Sequence, residues 1–142
     1  MLSPDQIRDL NEAYRQDFNR HDADALKGYY AKQVNWTSSG NPEQVTDPAQ
    51  IPGHVAPVFT AFPDMHLEFV DDFSEGYRNA HHWVMTGTHT GPLGDGAERI
   101  EATGKAVTIR GLTMMVLSEE GEIVEDHTYF DPSSMNRQLW LA

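Results

Sequence analysis

The chain has 142 residues and a mass of 16.0 kDa, with 39% hydrophobic and 23% charged residues, which is the make-up expected of one globular domain over 1–142. Its formal charge of −12 comes from 22 acids and 10 scattered bases, so the basic stripe that nucleic-acid binding requires is missing, and the acidic excess is read as serving solubility. There are no cysteines, which removes disulfides, thiolate nucleophiles and cysteine-ligated metal. No apolar run is long enough for a membrane span, so no membrane partner is expected. Met-Leu-Ser-Pro-Asp-Gln at the start lacks the basic and apolar segments of a signal peptide, which makes the cytoplasm the expected location.

In chain order, Ser3-Pro4-Asp5-Gln6 reads as a helix start with Ser3 as cap, Pro4 in the first position and Gln6 completing a capping box. Ile7, Leu10, Tyr14 and Phe18 then recur at helical spacing, and the helix ends near His21. A second, short helix follows Asp22, and Val34 to Thr37 reads as a short strand carrying Trp36. Ser38 to Pro48 is loop by composition. A third helix over Pro52 to Phe62 carries Pro57, which predicts a kink. Strands are predicted from Met65, from Arg78 to His89 and from Ala106 to Leu117, with the polar, glycine-rich Gly91 to Lys105 as a loop between the last two.

Gly121 to Asp131, Gly-Glu-Ile-Val-Glu-Asp-His-Thr-Tyr-Phe-Asp, is the last predicted strand, bounded by turn signals and rich in β-branched and aromatic residues. Alternation puts Val124, Asp126, Thr128 and Phe130 on one face and Ile123, Glu125, His127 and Tyr129 on the other. Either face takes an ionisable group inward. Pro132 to Leu141 reads as a terminal helix capped by Asp131. Helices first and an antiparallel sheet afterwards make an α+β fold, in which a strongly bent sheet wraps the helices into a cone with a cavity.

Trp83-Val84-Met85-Thr86-Gly87-Thr88-His89-Thr90-Gly91, Ala102-Thr103-Gly104-Lys105, Gly121-Glu122-Ile123-Val124-Glu125 and Tyr129-Phe130-Asp131 with Arg137-Gln138-Leu139, together with Ala61-Phe62-Pro63-Asp64, resemble the SnoaL-like polyketide cyclase family. The resemblance implies the cone-shaped barrel of the nuclear transport factor 2 (NTF2-like, or cystatin-like) superfamily. It also implies an apolar pocket, no cofactor for the cyclases, and dimers or larger assemblies made through the outer sheet face, of which a homodimer is the expectation here. Family cyclases close a ring on an aromatic polyketide ester by an intramolecular aldol reaction, with a pocket aspartate on the last strand as acid and base. An ungapped alignment through Gly121-Glu122-Ile123 and Arg137-Gln138-Leu139 puts that aspartate on Thr128, whose hydroxyl cannot take a carbon-bound proton at neutral pH. Asp126, two residues earlier, falls on the position often held by a pocket histidine. The same fold with altered catalytic residues is the expectation.

Asp126 is therefore the candidate acid/base, since a carboxyl beside Val124 and Phe130 in a dry pocket has its pKa raised. Thr128, Phe130, Tyr14, Phe18, Trp36, His82 and His89 are the candidate pocket residues, although aromatic residues at these spacings also serve as plain core. His81 and His82 lie on opposite faces of one strand, so one of them is inside. No His-x-x-x-His or His-Glu-x-x-His stands on a predicted helix, and no metal is expected. Two functions fit: a cofactor-independent lyase or isomerase of cyclase type acting on a small or polycyclic apolar carbonyl compound, or a non-catalytic protein that holds an apolar or aromatic ligand, or dimerises as an accessory module.

Overall fold

The structure, a computed structural model, describes residues 2–140, the last of them by its backbone alone; the expected end of the terminal helix at Leu141 lies outside the described residues. Helix α1, Pro4–Asn19, begins with the capping box of Ser3 and Gln6, and Arg20 caps its far end. Helix α2, Ala23–Leu26, is capped by the Asp22 carboxylate on the Ala25 N–H at 3.1 Å. Helix α3, Ile51–Ala61, has Pro52 in its first turn and Pro57 inside, where the ring deprives the Gly53 carbonyl of its helical donor. Helix α4, Pro132–Trp140, starts after Asp131, whose Oδ1 accepts from the Ser133 N–H at 3.0 Å.

Six strands, β1 (Tyr30–Ser38), β2 (Asn41–Val45), β3 (His66–Glu75), β4 (Arg78–Thr88), β5 (Ala106–Leu117) and β6 (Ile123–Phe130), form one curved sheet in the order β2-β1-β6-β5-β4-β3. The fold class is α+β, and the curved sheet is an open half-cone that does not close into a barrel. Two strand pairings depart from the sequence reading. Asn41–Val45, expected as loop, pairs antiparallel with β1 because the chain turns back tightly at Ser39-Gly40. The pairing of β1 with β6 is parallel, so the sheet is mixed.

The alternation on β5 holds along its length. Val107, Ile109, Thr113, Met115 and Leu117 point into the core, while Leu112 and Met114 point out. On β6 it holds only from Glu125 onward. Val116 pairs with Glu125 and Leu117 with Ile123, leaving Val124 as the extra residue of a β-bulge. The bulge brings Ile123 to the same inner face as Asp126, although strict alternation had put them on opposite faces.

The motifs that carried the family resemblance make contacts that hold the sheet's open end. The Asp64 carboxylate accepts from the Thr88 N–H at 2.7 Å, the Gly91 N–H donates to the Ala61 carbonyl at 3.1 Å, and Gly104 N–H donates to the His89 carbonyl at 2.8 Å. Gln138 on α4 bonds both the N–H and the carbonyl of Thr108, at 2.7 and 2.9 Å, in a stretch of β5 that has no β6 residue opposite it. Leu139 beside it is buried in the core.

Candidate functional site

Between the concave sheet face and helices α1, α3 and α4 lies a cavity of about 190 Å³. Most of its wall is apolar: Tyr14 and Phe18 from α1, Val55 and Val58 from α3, Met135 from α4, and Trp36, Phe69, Trp83, Met85 and Phe130 from the sheet. The polar lining is small, comprising Asp126, Thr128, Thr113, His81, Ser38 and His54.

Strand register explains how these groups come together. Trp36 pairs with Asp126 and Asp126 with Met115, and one step along Ser38 pairs with Thr128, Thr128 with Thr113 and Thr113 with His81. Four consecutive strands thus contribute a transverse row of three hydroxyls and one imidazole, with the carboxyl of Asp126 beside it on β6. The Thr113 and Thr128 hydroxyls bond each other at 2.8 Å, and the Trp83 indole N–H donates to the Thr113 hydroxyl at 3.0 Å.

Trp83 can lie across β5 because Gly111 is opposite it; a Cβ at position 111 would stand 2.2 Å from Cζ2 of the indole. Gly111→Ala is therefore expected to lift Trp83 off the sheet and destabilise the protein by about 2–3 kcal/mol. Urea unfolding followed by tryptophan emission checks this, and an unchanged midpoint with unchanged emission would contradict the placement.

Asp126 is 2% exposed. Its Oδ2 accepts from the Tyr30 hydroxyl at 2.6 Å, and the Tyr30 and Tyr14 hydroxyls lie 2.9 Å apart. Burial first, and then the nearby carboxylate, holds the Tyr30 phenol well above its ordinary pKa, and burial does the same to Tyr14. Both phenols therefore stay protonated. Tyr30 has one proton and gives it to Asp126, so Tyr14 is the donor in the bond between the two phenols. Oδ1 of Asp126 is buried without a hydrogen-bond partner among the described residues. Burial pushes the Asp126 carboxyl up to about 6, and the Tyr30 bond, His127 and the adjacent Thr128 hydroxyl offset only part of that rise. No hydrogen bond from the Thr128 hydroxyl reaches Oδ1. Such a group is mostly ionised at pH 7 and is close enough to its midpoint to give the proton back.

Of the residues singled out from the sequence, Asp126, Tyr14, Phe18, Trp36, Thr128 and Phe130 line this cavity. His82 and His89 do not. On β4 the inward series is Asn79, His81, Trp83 and Met85, which sends His82 to the outer face between Asp71 and Leu112. The larger apolar partners Trp83 and Met85 in that series were the signal that favoured His81. His89 is fully buried, but its Nδ1 accepts the Thr103 N–H at 3.2 Å, and it clips the Thr103-Gly104-Lys105 turn to the end of β4. The glycine-rich loop after it contributes nothing to the cavity lining. Tyr30 and His54 went unnoticed as site residues. Tyr30 lies far from Asp126 in sequence, and His54 stacks on Trp36 at 5.5 Å from a helix whose inner face the sequence left open.

A half-conical α+β sheet closed by helices over an apolar cavity, with one buried carboxyl inside, defines a cyclase-type pocket protein. The profile of the SnoaL-like polyketide cyclase family matches residues 8–139, and the chain belongs to that family. No curated protein matches it in sequence. Among solved structures, TsrD from Streptomyces laurentii has the same fold, with TM-score 0.83, 17% identity and full coverage of both chains. AclR from Streptomyces galilaeus, a candidate hydroxylase, aligns with TM-score 0.81 and 21% identity over 99% of this chain and 84% of its own. A Catenulispora acidiphila protein of ketosteroid isomerase-like fold, solved in complex with trimethylamine, aligns with TM-score 0.74 and 17% identity over 92% of this chain and 91% of its own. At these identities the likeness is one of fold.

Proposed function

We propose that the protein is a cofactor-independent acid–base enzyme of cyclase, lyase or isomerase type that moves a proton on an apolar carbonyl compound, with Asp126 as the acid and base. The observation that carries this reading is the Asp126 carboxyl, buried on the cavity wall with one oxygen held by Tyr30 and the other unpartnered. A carboxylate with those surroundings accepts a proton from a carbon next to a carbonyl and, as the carboxylic acid, returns it to the enolate. Thr128 stands where family cyclases are expected to carry their aspartate. Residues two apart on a strand are separated by about 6.5–7 Å, so a base at 126 meets a differently placed carbon than a base at 128. An anthracycline-type polyketide methyl ester is accordingly expected to cyclise slowly or not at all.

The test is deuterium exchange from D2O into the acidic carbon of β-tetralone, a bicyclic ketone. The wild type should catalyse the exchange and Asp126→Asn should lose at least about 100-fold in rate, the low end of what general acid–base catalysis contributes. Wild type that binds the ketone without exchanging it favours a non-catalytic ligand-binding protein. Exchange undiminished in Asp126→Asn would remove Asp126 from the chemistry.

The outer sheet face supports a homodimer. Phe73, Ala80 and Met114 are in register across β3, β4 and β5, and Leu112 lies opposite Tyr129, with Phe73 and Tyr129 62% and 55% exposed. An apolar stretch of this kind on the outer side of a mixed sheet calls for a cover. Sedimentation at micromolar concentration should give about twice 16.0 kDa, and a Met114→Lys variant should sediment at that single mass. A wild type that stays monomeric would count against the dimer.

A further inference from the structure

Once the protein's own hydrogen bonds are assigned, two side chains on the cavity wall each keep a fully buried polar atom without a partner among the described residues. Thr113 and Thr128 bond each other, Trp83 bonds Thr113, and Tyr30 takes one oxygen of Asp126. Those two atoms are Oδ1 of Asp126 and Nδ1 of His81. The His81 side chain is 3% exposed, lines the cavity, stacks on Phe69 at 4.3 Å and has Nδ1 buried without a partner. Burial pushes its pKa down to about 4, so at neutral pH the ring is uncharged and carries one N–H and one lone pair.

His81 and Asp126 are two strands and two residues apart, about 10 Å across and about 7 Å along the sheet, and both project from its concave face. Their side chains shorten that span to the width of a small ring system. The cavity of about 190 Å³ points the same way. A cavity of about 150 Å³ holds one benzene ring, whereas pockets for drug-sized ligands run to about 300 Å³ and more.

Resting on the acid–base reading of Asp126, we propose that His81 is the site's second ligand-contacting group, a neutral imidazole that donates to the carbonyl oxygen of a one- or two-ring ketone while Asp126 faces the carbon beside that carbonyl. In the step this describes, Oδ1 of Asp126 takes the proton as the C–H bond breaks, and the electron pair passes into the carbonyl to give an enolate. The His81 N–H stabilises the enolate oxygen, and the proton returns from Asp126. Nothing is oxidised or reduced.

The contrast between β-tetralone and tetralin, its hydrocarbon counterpart, isolates the oxygen. Calorimetric titration of the wild type should show β-tetralone binding about fivefold to tenfold tighter than tetralin, the size of one neutral hydrogen bond. His81→Phe, which keeps a flat ring against Phe69, should bind both equally, and Asp126→Asn should keep the preference while losing deuterium exchange. In the wild type, the His81 imidazole ¹⁵N resonance should shift on adding β-tetralone and stay unmoved by tetralin, a readout that does not depend on any variant folding. An unmoved resonance, or a preference that survives in His81→Phe, overturns the role of His81. If exchange still depends on Asp126 in that case, the acid–base reading stands without it. Failure of the wild type to bind either compound overturns the one- or two-ring ligand class.

Discussion

Asp126→Asn is expected to make the protein more stable above pH 6 while removing its acid–base activity. Burial raises the Asp126 carboxyl from its ordinary 3.8 to about 6, so between those values the native state keeps a proton that the unfolded chain has released. Stability from this group is therefore full below pH 3.8 and is lost as pH rises through 6, at a cost of about 3 kcal/mol by pH 8. Asparagine does not ionise, so the variant should match the wild type near pH 4 and exceed it by up to about 3 kcal/mol at pH 8. His81 has the opposite sign. Its ring is held neutral down to about 4 against an ordinary 6.5, so its contribution is full above pH 6.5 and is lost as pH falls toward 4. In the wild type the two nearly cancel between pH 4 and 6.5. Asp126→Asn should expose a stability that rises by about 3 kcal/mol over that window, and His81→Phe a stability that falls. Urea midpoints for the three proteins at several pH values check this; parallel profiles for wild type and Asp126→Asn would mean the carboxyl is not buried as described.

Tyr30→Phe should move the ionisation of Asp126 upward. The Tyr30 hydroxyl at 2.6 Å favours the charged carboxylate, and a hydrogen bond to a charged group is worth about 1.5–3 kcal/mol, so its loss adds about one pH unit or more to the midpoint near 6. Tyr14→Phe should move it less, since Tyr14 reaches the carboxyl only through Tyr30. Carbon-13 NMR titration of the Asp126 carboxyl reads both effects without substrate. A midpoint that stays put or falls in Tyr30→Phe would show that the phenol does not hold the carboxylate.

The elements that could be read from the sequence are those whose local pattern and tertiary role agree. Ser3, Pro4 and Gln6 define a helix start by their own chemistry, and the period-two pattern of Val107, Ile109, Met115 and Leu117 marks an inner face wherever the strand sits. What could not be read depends on pairing between distant segments. The parallel pairing of β1 with β6 and the bulge at Val124 are properties of register, and they decide that Ile123 and Asp126 share a face. Asp126 was legible as an acid among apolar neighbours, but Tyr30 was not, because nothing in the Lys27–Tyr30 segment indicates a carboxyl 96 residues away. His82 was preferred to His81 because both histidines suit a strand and only the packing of Trp83 and Met85 separates them. Gly87, Thr88, His89 and Gly91, which carried much of the family resemblance, hold the end of the sheet and not the pocket.

The pH dependence of deuterium exchange into β-tetralone tests the role of Asp126 most directly. Exchange by the wild type should rise with pH through a midpoint of about 6, level off above pH 7, and be nearly absent at every pH in Asp126→Asn. A profile with no inflection between pH 5 and 7, or one that Asp126→Asn reproduces at comparable rate, would contradict the assignment of Asp126 as the base.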